Sequence, residues 1–242
     1  MKGSSGRIEP NWYHESPRAI IAGMVVLQST LLTRAGFAHG FPLRDATDAD
    51  LFLALTVGSV FQVKQVHGAH AVEARQAEGV EADAIVGRDR ATAVGVRVAD
   101  CVPLLLADEL GGAVAAIHAG WRGVVAGVVR AGVDLLGGRK LVAAIGPCIG
   151  PCCFEVGKDV ASRIAGASEA RDIILSTHGD KAYVDLRRVV RAQLRASGVA
   201  DDRIEDVPGC TKHDAARFHS FRRDGAKSGR MLAAIATRMS SP

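Results

Sequence analysis

Aromatic residues are scarce, at 5% of a 242-residue chain that carries 27 glycines. None is interleaved with clustered lysine or arginine, so the sequence offers no nucleic-acid patch. Excess charge of one sign is also missing. The net charge is +4 and the positive residues are dispersed. The stretch from Arg187 and Arg188 to Arg195 reads as a solvated helix face. Long apolar runs are absent too. Residues 19–32 are apolar but too short to span a bilayer, and Gln28, Ser29 and Thr30 interrupt them; they read as a strand region, with no membrane partner implied. The five cysteines are odd in number and no secretory signal is clear, which argues against a disulfide framework and for a cytoplasmic protein. There is no internal repeat, no low-complexity linker, no CxxC, no HExxH and no H-x-H.

What remains is an ordinary soluble composition, 48% hydrophobic and 23% charged. The opening MKGSSGRIEP resembles an appended leader, so residues 1–23 are set aside and Met24 is a candidate start. A single catalytic domain is expected over 24–242, as a monomer. Residues 45–55 read as a helix capped by Asp45 or Thr47, and 59–66 alternate as a strand. Short Val/Ile/Leu-rich runs at 83–86, 93–99, 102–107, 112–118 and 140–146 read as strands, with a hairpin loop at 108–112. Helices are expected over 121–136, over 155–164, and from an Asp185 cap to before Gly198, where Leu186, Val189, Val190 and Leu194 share a face. The segment from 230 is a final strand or helix. Hairpins mixed with helical crossovers imply an α+β fold with mixed sheets.

Three polar, reactive segments close apolar strands: His67 in QVHG, Asp100 and Cys101 in ADCVP, and His118 in HAGWRG. Two imidazoles and one thiolate match the donor types and count of a catalytic zinc site, which keeps its fourth position open. Spacings of 34 and 17 residues form no local motif, so two other readings stand beside zinc. Cys101 can be a small buried hydrophobe, or a thiolate nucleophile with His118 as its base. Asp100 is a candidate general acid/base or a turn cap. In residues 145–157 (IGPCIGPCCFEVG), Cys148, Cys152 and Cys153 lack a second cysteine cluster, so a sharply turned loop and structural roles are expected. Arg222, paired with Arg223, suits either an anion or an internal carboxylate, and Arg44 and Arg122 are further anion candidates.

These segments resemble the family variously called peptidoglycan editing factor, polyphenol oxidase (laccase domain) or zinc-dependent purine nucleoside phosphorylase. The matching stretches are QVHG at 65–68, ADCVP at 99–103, HAGWRG at 118–123, GPCIGPCCFEVG at 146–157, HGDKAYVDL at 178–186 and SFRRDGAKSGRM at 220–231. The resemblance runs from about residue 24 to the end. It implies zinc held by His67, Cys101 and His118. It implies a four-layer α/β/β/α sandwich of mixed sheets, similar to a bacterial deamidase toxin domain. It further implies phosphorolysis of adenosine, inosine and methylthioadenosine, and deamination of adenosine. His39–Arg44 (HGFPLR) matches the family's HGFSTR, which would make Arg44 its substrate- or phosphate-contacting arginine. The chain then departs from the pattern: DATDADL at 45–51 stands where the family has a glycine-rich GGVS stretch, so the resemblance does not carry over to that wall of the pocket.

Laccase chemistry fits poorly, because copper centres of that type need many histidines, commonly in H-x-H pairs, and this chain has eight without one such pair. The sequence therefore carries a zinc-dependent nucleoside enzyme as its first reading, with small-molecule nucleoside and phosphate as partners and Asp100 as candidate proton carrier. The second is a hydrolase that edits a nucleotide-linked muramic acid bearing the wrong amino acid. The others are a cysteine hydrolase or deamidase, and a non-catalytic binding protein.

Overall fold

The computed structural model describes residues 25–138 and 140–238. The expected leader at 1–23, and the part of the 19–32 run before residue 25, lie outside the described residues. In chain order the first half comprises β1 (Val26–Leu27), α1 (Thr30–Arg34), β2 (His39–Pro42), α2 (Asp48–Leu55), β3 (Ala71–Glu73), β4 (Ala84–Gly87), β5 (Ala93–Val98), β6 (Val102–Asp108) and β7 (Val114–Ala119). It continues with α3 (Trp121–Ala126), α4 (Val128–Leu136), β8 (Leu141–Ile145), β9 (Glu155–Gly157), α5 (Lys158–Ala165), β10 (Ile174–His178), β11 (Lys181–Val184), α6 (Leu186–Ala196), β12 (Ile204–Asp206), α7 (Phe221–Asp224) and β13 (Met231–Ala236).

A six-stranded mixed sheet, ordered β12-β8-β6-β7-β4-β3, faces a four-stranded sheet, ordered β1-β2-β13-β5. Strand β6 shows why two layers must cover the larger sheet. Its seven residues are all buried, as expected of a continuous apolar run with both faces covered. Leu104 and Leu106 point to the side packed by α4 and α6, whereas Leu105 and Ala107 point between the sheets. Helix α2 covers the outer face of the smaller sheet through Leu51 and Leu55. The result is the expected α/β/β/α sandwich. A small third sheet, β10-β11-β9, lies beside α5.

Several local expectations need correction. The 19–32 run is not one strand: β1 has two residues, and Ser29 then caps α1 by accepting from the Leu32 N–H. Residues 59–66 form only isolated bridges at Phe61 and Lys64, because the Gln65 side chain, not its backbone, pairs with the main chain of Arg97, at 2.8 Å in each direction. The 121–136 helix breaks at Gly127, whose φ of +92° is left-handed. Residues 155–157 are a strand, and α5 starts only at Lys158. The end segment resolves to a strand, β13, paired on both sides. Arg187 does not lie on a solvated face. It turns inward, donating to the Cys148 Sγ at 3.1 Å and the Gly209 carbonyl at 2.6 Å. Of the two caps expected for α2, the structure uses Thr47, with Asp50 completing a capping box, and the Asp185 cap of α6 and the 108–112 hairpin match the sequence reading.

Candidate active site

Antiparallel register assembles the site. Val102 at the start of β6 lies opposite Ala119 at the end of β7, and Ala84 at the start of β4 lies opposite Ile117. The residues just outside those pairs, Cys101 and Asp83, therefore meet His118 at one end of the sheet. Asp83 is fully buried and its Oδ1 is 2.7 Å from His118 Nδ1. The same carboxylate accepts the backbone N–H groups of Val66 at 3.2 Å, His67 at 3.0 Å and Gly68 at 2.6 Å. Three successive amides around an anion form a nest, and they hold His67 at a left-handed φ of +61°. One carboxylate thus positions two of the sequence-predicted metal ligands.

The third lies between them. Cys101 Sγ is 3.7 Å from His67 Nε2, and the His67 and His118 rings pack edge-on at 4.7 Å. One ligand atom from each of His67, Cys101 and His118 lies within 4.8 Å of the others. With His118 Nδ1 held by Asp83, Nε2 is the nitrogen turned to the site, and a metal ion there would displace its proton. Burial opposes ionisation of Cys101, yet the His118 and His67 imidazoles outweigh it and bring the thiol down to about 6. Burial likewise opposes protonation of His118, but Asp83 and Cys101 raise it to about 9. A pre-ionised thiolate with two oriented imidazoles is a donor set that can hold a metal ion. Gly120 permits the approach, since a Cβ there would sit 2.8 Å from His67 Cδ2 and 3.1 Å from Cys101 Sγ.

The donors open into a cleft of about 550 Å³. Arg122 and Arg222 line it, as do Arg97 and Arg230, which the sequence reading did not single out. Three of these guanidiniums cover aromatic rings: Arg122 over Trp121 at 4.6 Å, Arg222 over Phe154 at 5.7 Å and Arg230 over Phe221 at 5.5 Å. Such stacking holds the charge in place while leaving donors free. Arg222 lines the cleft, and its side chain donates to the Glu155 carbonyl at 2.8 Å. Arg223 is structural, spanning the Thr211, Lys212 and Phe218 carbonyls and Asp224. Arg44 is not brought to the cleft lining; it donates to the Ala215 carbonyl and faces Asp45. Asp100 does line the cleft, but both its oxygens are engaged, one by Thr211 Oγ1 and one by the Arg222 N–H, each at 2.6 Å.

The model described as "Multi-copper polyphenol oxidoreductase laccase" matches residues 46–238, more than three quarters of the chain. The chain belongs to this polyphenol oxidoreductase laccase family. Among its relatives, a purine nucleoside phosphorylase of Pseudomonas aeruginosa is 40% identical over 175 residues, covering 71% of each chain. An adenosine deaminase from an unknown prokaryotic organism is 39% identical over 165 residues, covering 65% of this chain and 62% of its own length. A Neisseria meningitidis protein of the DUF152 family superposes with a TM-score of 0.77 at 28% identity, over 84% of this chain and 95% of that one. Relatives of this laccase-domain chain are thus named for nucleoside chemistry rather than phenol oxidation. No helix among its described residues is long and apolar enough to cross a membrane.

Proposed function

We propose that this chain is a zinc-dependent purine nucleoside enzyme that phosphorolyses adenosine, inosine and methylthioadenosine and deaminates adenosine. The observation that carries the reading is the His67–Cys101–His118 donor set at the floor of a cleft walled by arginines and aromatic rings. Two nitrogens and one sulfur suit zinc and leave a coordination position open. When bound, zinc supplies Lewis-acid activation of water or substrate near neutral pH.

The protein's own groups do the rest. Asp83 fixes the His118 tautomer and the His67 turn. The partly exposed rings of Trp121 and Phe221 line the cleft and suit a purine, and the guanidiniums of Arg122, Arg222 and Arg230 offer donors to phosphate, whereas Arg97 is held by Asp48 and Gln62. Arg44, the phosphate contact expected from the family pattern, donates to the Ala215 carbonyl, beside rather than among the residues lining the cleft. Five free thiols suit a reducing, cytoplasmic setting.

Three arginines beyond the Asp48-paired Arg97 can hold more than one phosphate, which favours a second reading on the same site: hydrolysis of a nucleotide-linked muramic acid carrying the wrong amino acid. A substrate panel on metal-defined protein, scored by product mass, tests both. Ribose 1-phosphate with free base, or inosine from adenosine, supports the first; amino acid release from the cell-wall precursor supports the second. A covalent substrate adduct on Cys101, with activity that survives chelation, would replace zinc by a thiol nucleophile.

A further inference from the structure

The cysteines outside the active site do not stay apart in space. Cys152 and Cys153 sit in a tight turn closed by the Cys153 and Phe154 N–H groups on the Gly150 carbonyl. Cys210 comes from the segment after β12, which a backbone bridge between Cys148 and Cys210 ties to this turn. Cys152 Sγ lies 3.6 Å from Cys153 Sγ and 3.7 Å from Cys210 Sγ. All three sulfurs are within 4.8 Å of one another and all are free thiols.

We propose that Cys152, Cys153 and Cys210 form a second metal site, which takes one thiophilic d10 cation, Zn²⁺ or Cu⁺. Sulfurs tetrahedral about zinc at about 2.3 Å stand about 3.8 Å apart, close to the separations found here. An all-sulfur donor set selects soft ions over magnesium or calcium. The Gly150 N–H points at Cys210 Sγ from 3.2 Å, which compensates thiolate charge there. Cys152 is exposed and Cys153 half-buried, so an ion has access and neither acts as a buried hydrophobe.

The site joins two walls of the cleft. Beside Cys210, Thr211 donates to Asp100 Oδ1, and Ile149, within the cysteine loop, donates to the Asp100 carbonyl. Asp100 adjoins Cys101, so metal at the cysteine trio braces the strand end that carries an active-site donor.

The test is metal stoichiometry on reduced, metal-stripped protein re-equilibrated with Zn²⁺ or, in a parallel arm, with Cu⁺. Because Cys210 is buried, the informative variant is the pair Cys152→Ser with Cys153→Ser. Wild type should retain one more equivalent of ion than this variant, whereas Cys101→Ala should keep the ion at the trio. Added zinc should raise the Tm of Cys101→Ala and leave that of a variant lacking Cys101, Cys152 and Cys153 unmoved. Retention of zinc, or of copper with zinc displaced, supports the site and names its ion. Equal metal content in wild type and the Cys152/Cys153 variant overturns it. The Cys101→Ala arm reads the active site separately, so either site can fail without the other.

Discussion

Asp83 and His118 form a buried pair, Oδ1 to Nδ1 at 2.7 Å, and the same carboxylate holds the backbone turn of His67. Replacing Asp83 by Asn keeps an acceptor but frees the His118 tautomer, and such outer partners typically govern metal affinity by about 10–100-fold. Asp83→Asn should therefore weaken zinc retention by that order in chelator competition. Asp83→Ala should also destabilise the fold by roughly 3–5 kcal/mol, because it strands a buried partner. Unchanged zinc affinity in Asp83→Asn would remove this pair from the metal site.

Gly120 tests the same centre sterically. Its φ of −69° is open to alanine, but the added methyl meets His67 and Cys101. Gly120→Ala should fold normally by circular dichroism while losing metal affinity by about tenfold, since ligand constellations tolerate only small displacements. Full metal retention would show that the donors yield without consequence.

Asp100 stands at a φ of +88° with both carboxylate oxygens engaged. Those bonds make it a positioning residue for Arg222 and the 211 loop. In Asp100→Asn, KM should rise while kcat stays within about tenfold. A proton carrier would instead lose on the order of 10²–10⁴ in kcat. Steady-state kinetics on the best substrate of the panel separates the two.

His39 supplies a pH dependence away from the site. Its Nδ1–H donates to the Phe37 carbonyl and its Nε2 accepts the Ser29 N–H at 2.7 Å, so the ring is neutral as folded. Burial pushes its pKa below the usual 6.5. The unfolded chain takes up a proton as pH falls below 6.5 while the folded chain does not, so His39 contributes stability above 6.5 that is lost on acidification towards the folded pKa. Urea midpoints should fall from pH 7 to pH 5, and His39→Gln, itself less stable by about 1–3 kcal/mol, should show a shallower fall. Equal slopes would assign the acid sensitivity elsewhere.

The sequence by itself carried the strands 83–86, 93–99 and 102–107 and the α2 and α6 caps, and it offered His67, Cys101 and His118 as candidate donors that the family resemblance reads as zinc ligands. These are local matters: apolar runs, a Thr47 or Asp185 oxygen over free amides, and soft donors at strand ends. Tertiary structure alone decided the rest. Asp83 became the anchor of the site only through antiparallel register, which sets the start of β4 beside the end of β7. Arg97 and Arg230 reached the cleft because β5 and β13 pair, with Arg97 opposite Leu232. Gln65 displaced the ladder of the expected 59–66 strand through a side-chain contact that no periodicity encodes. Cys210 joined Cys152 and Cys153 across nearly sixty residues of chain. Spacing along a chain does not report distance across a sheet, because strand order and register, not sequence separation, set which side chains meet.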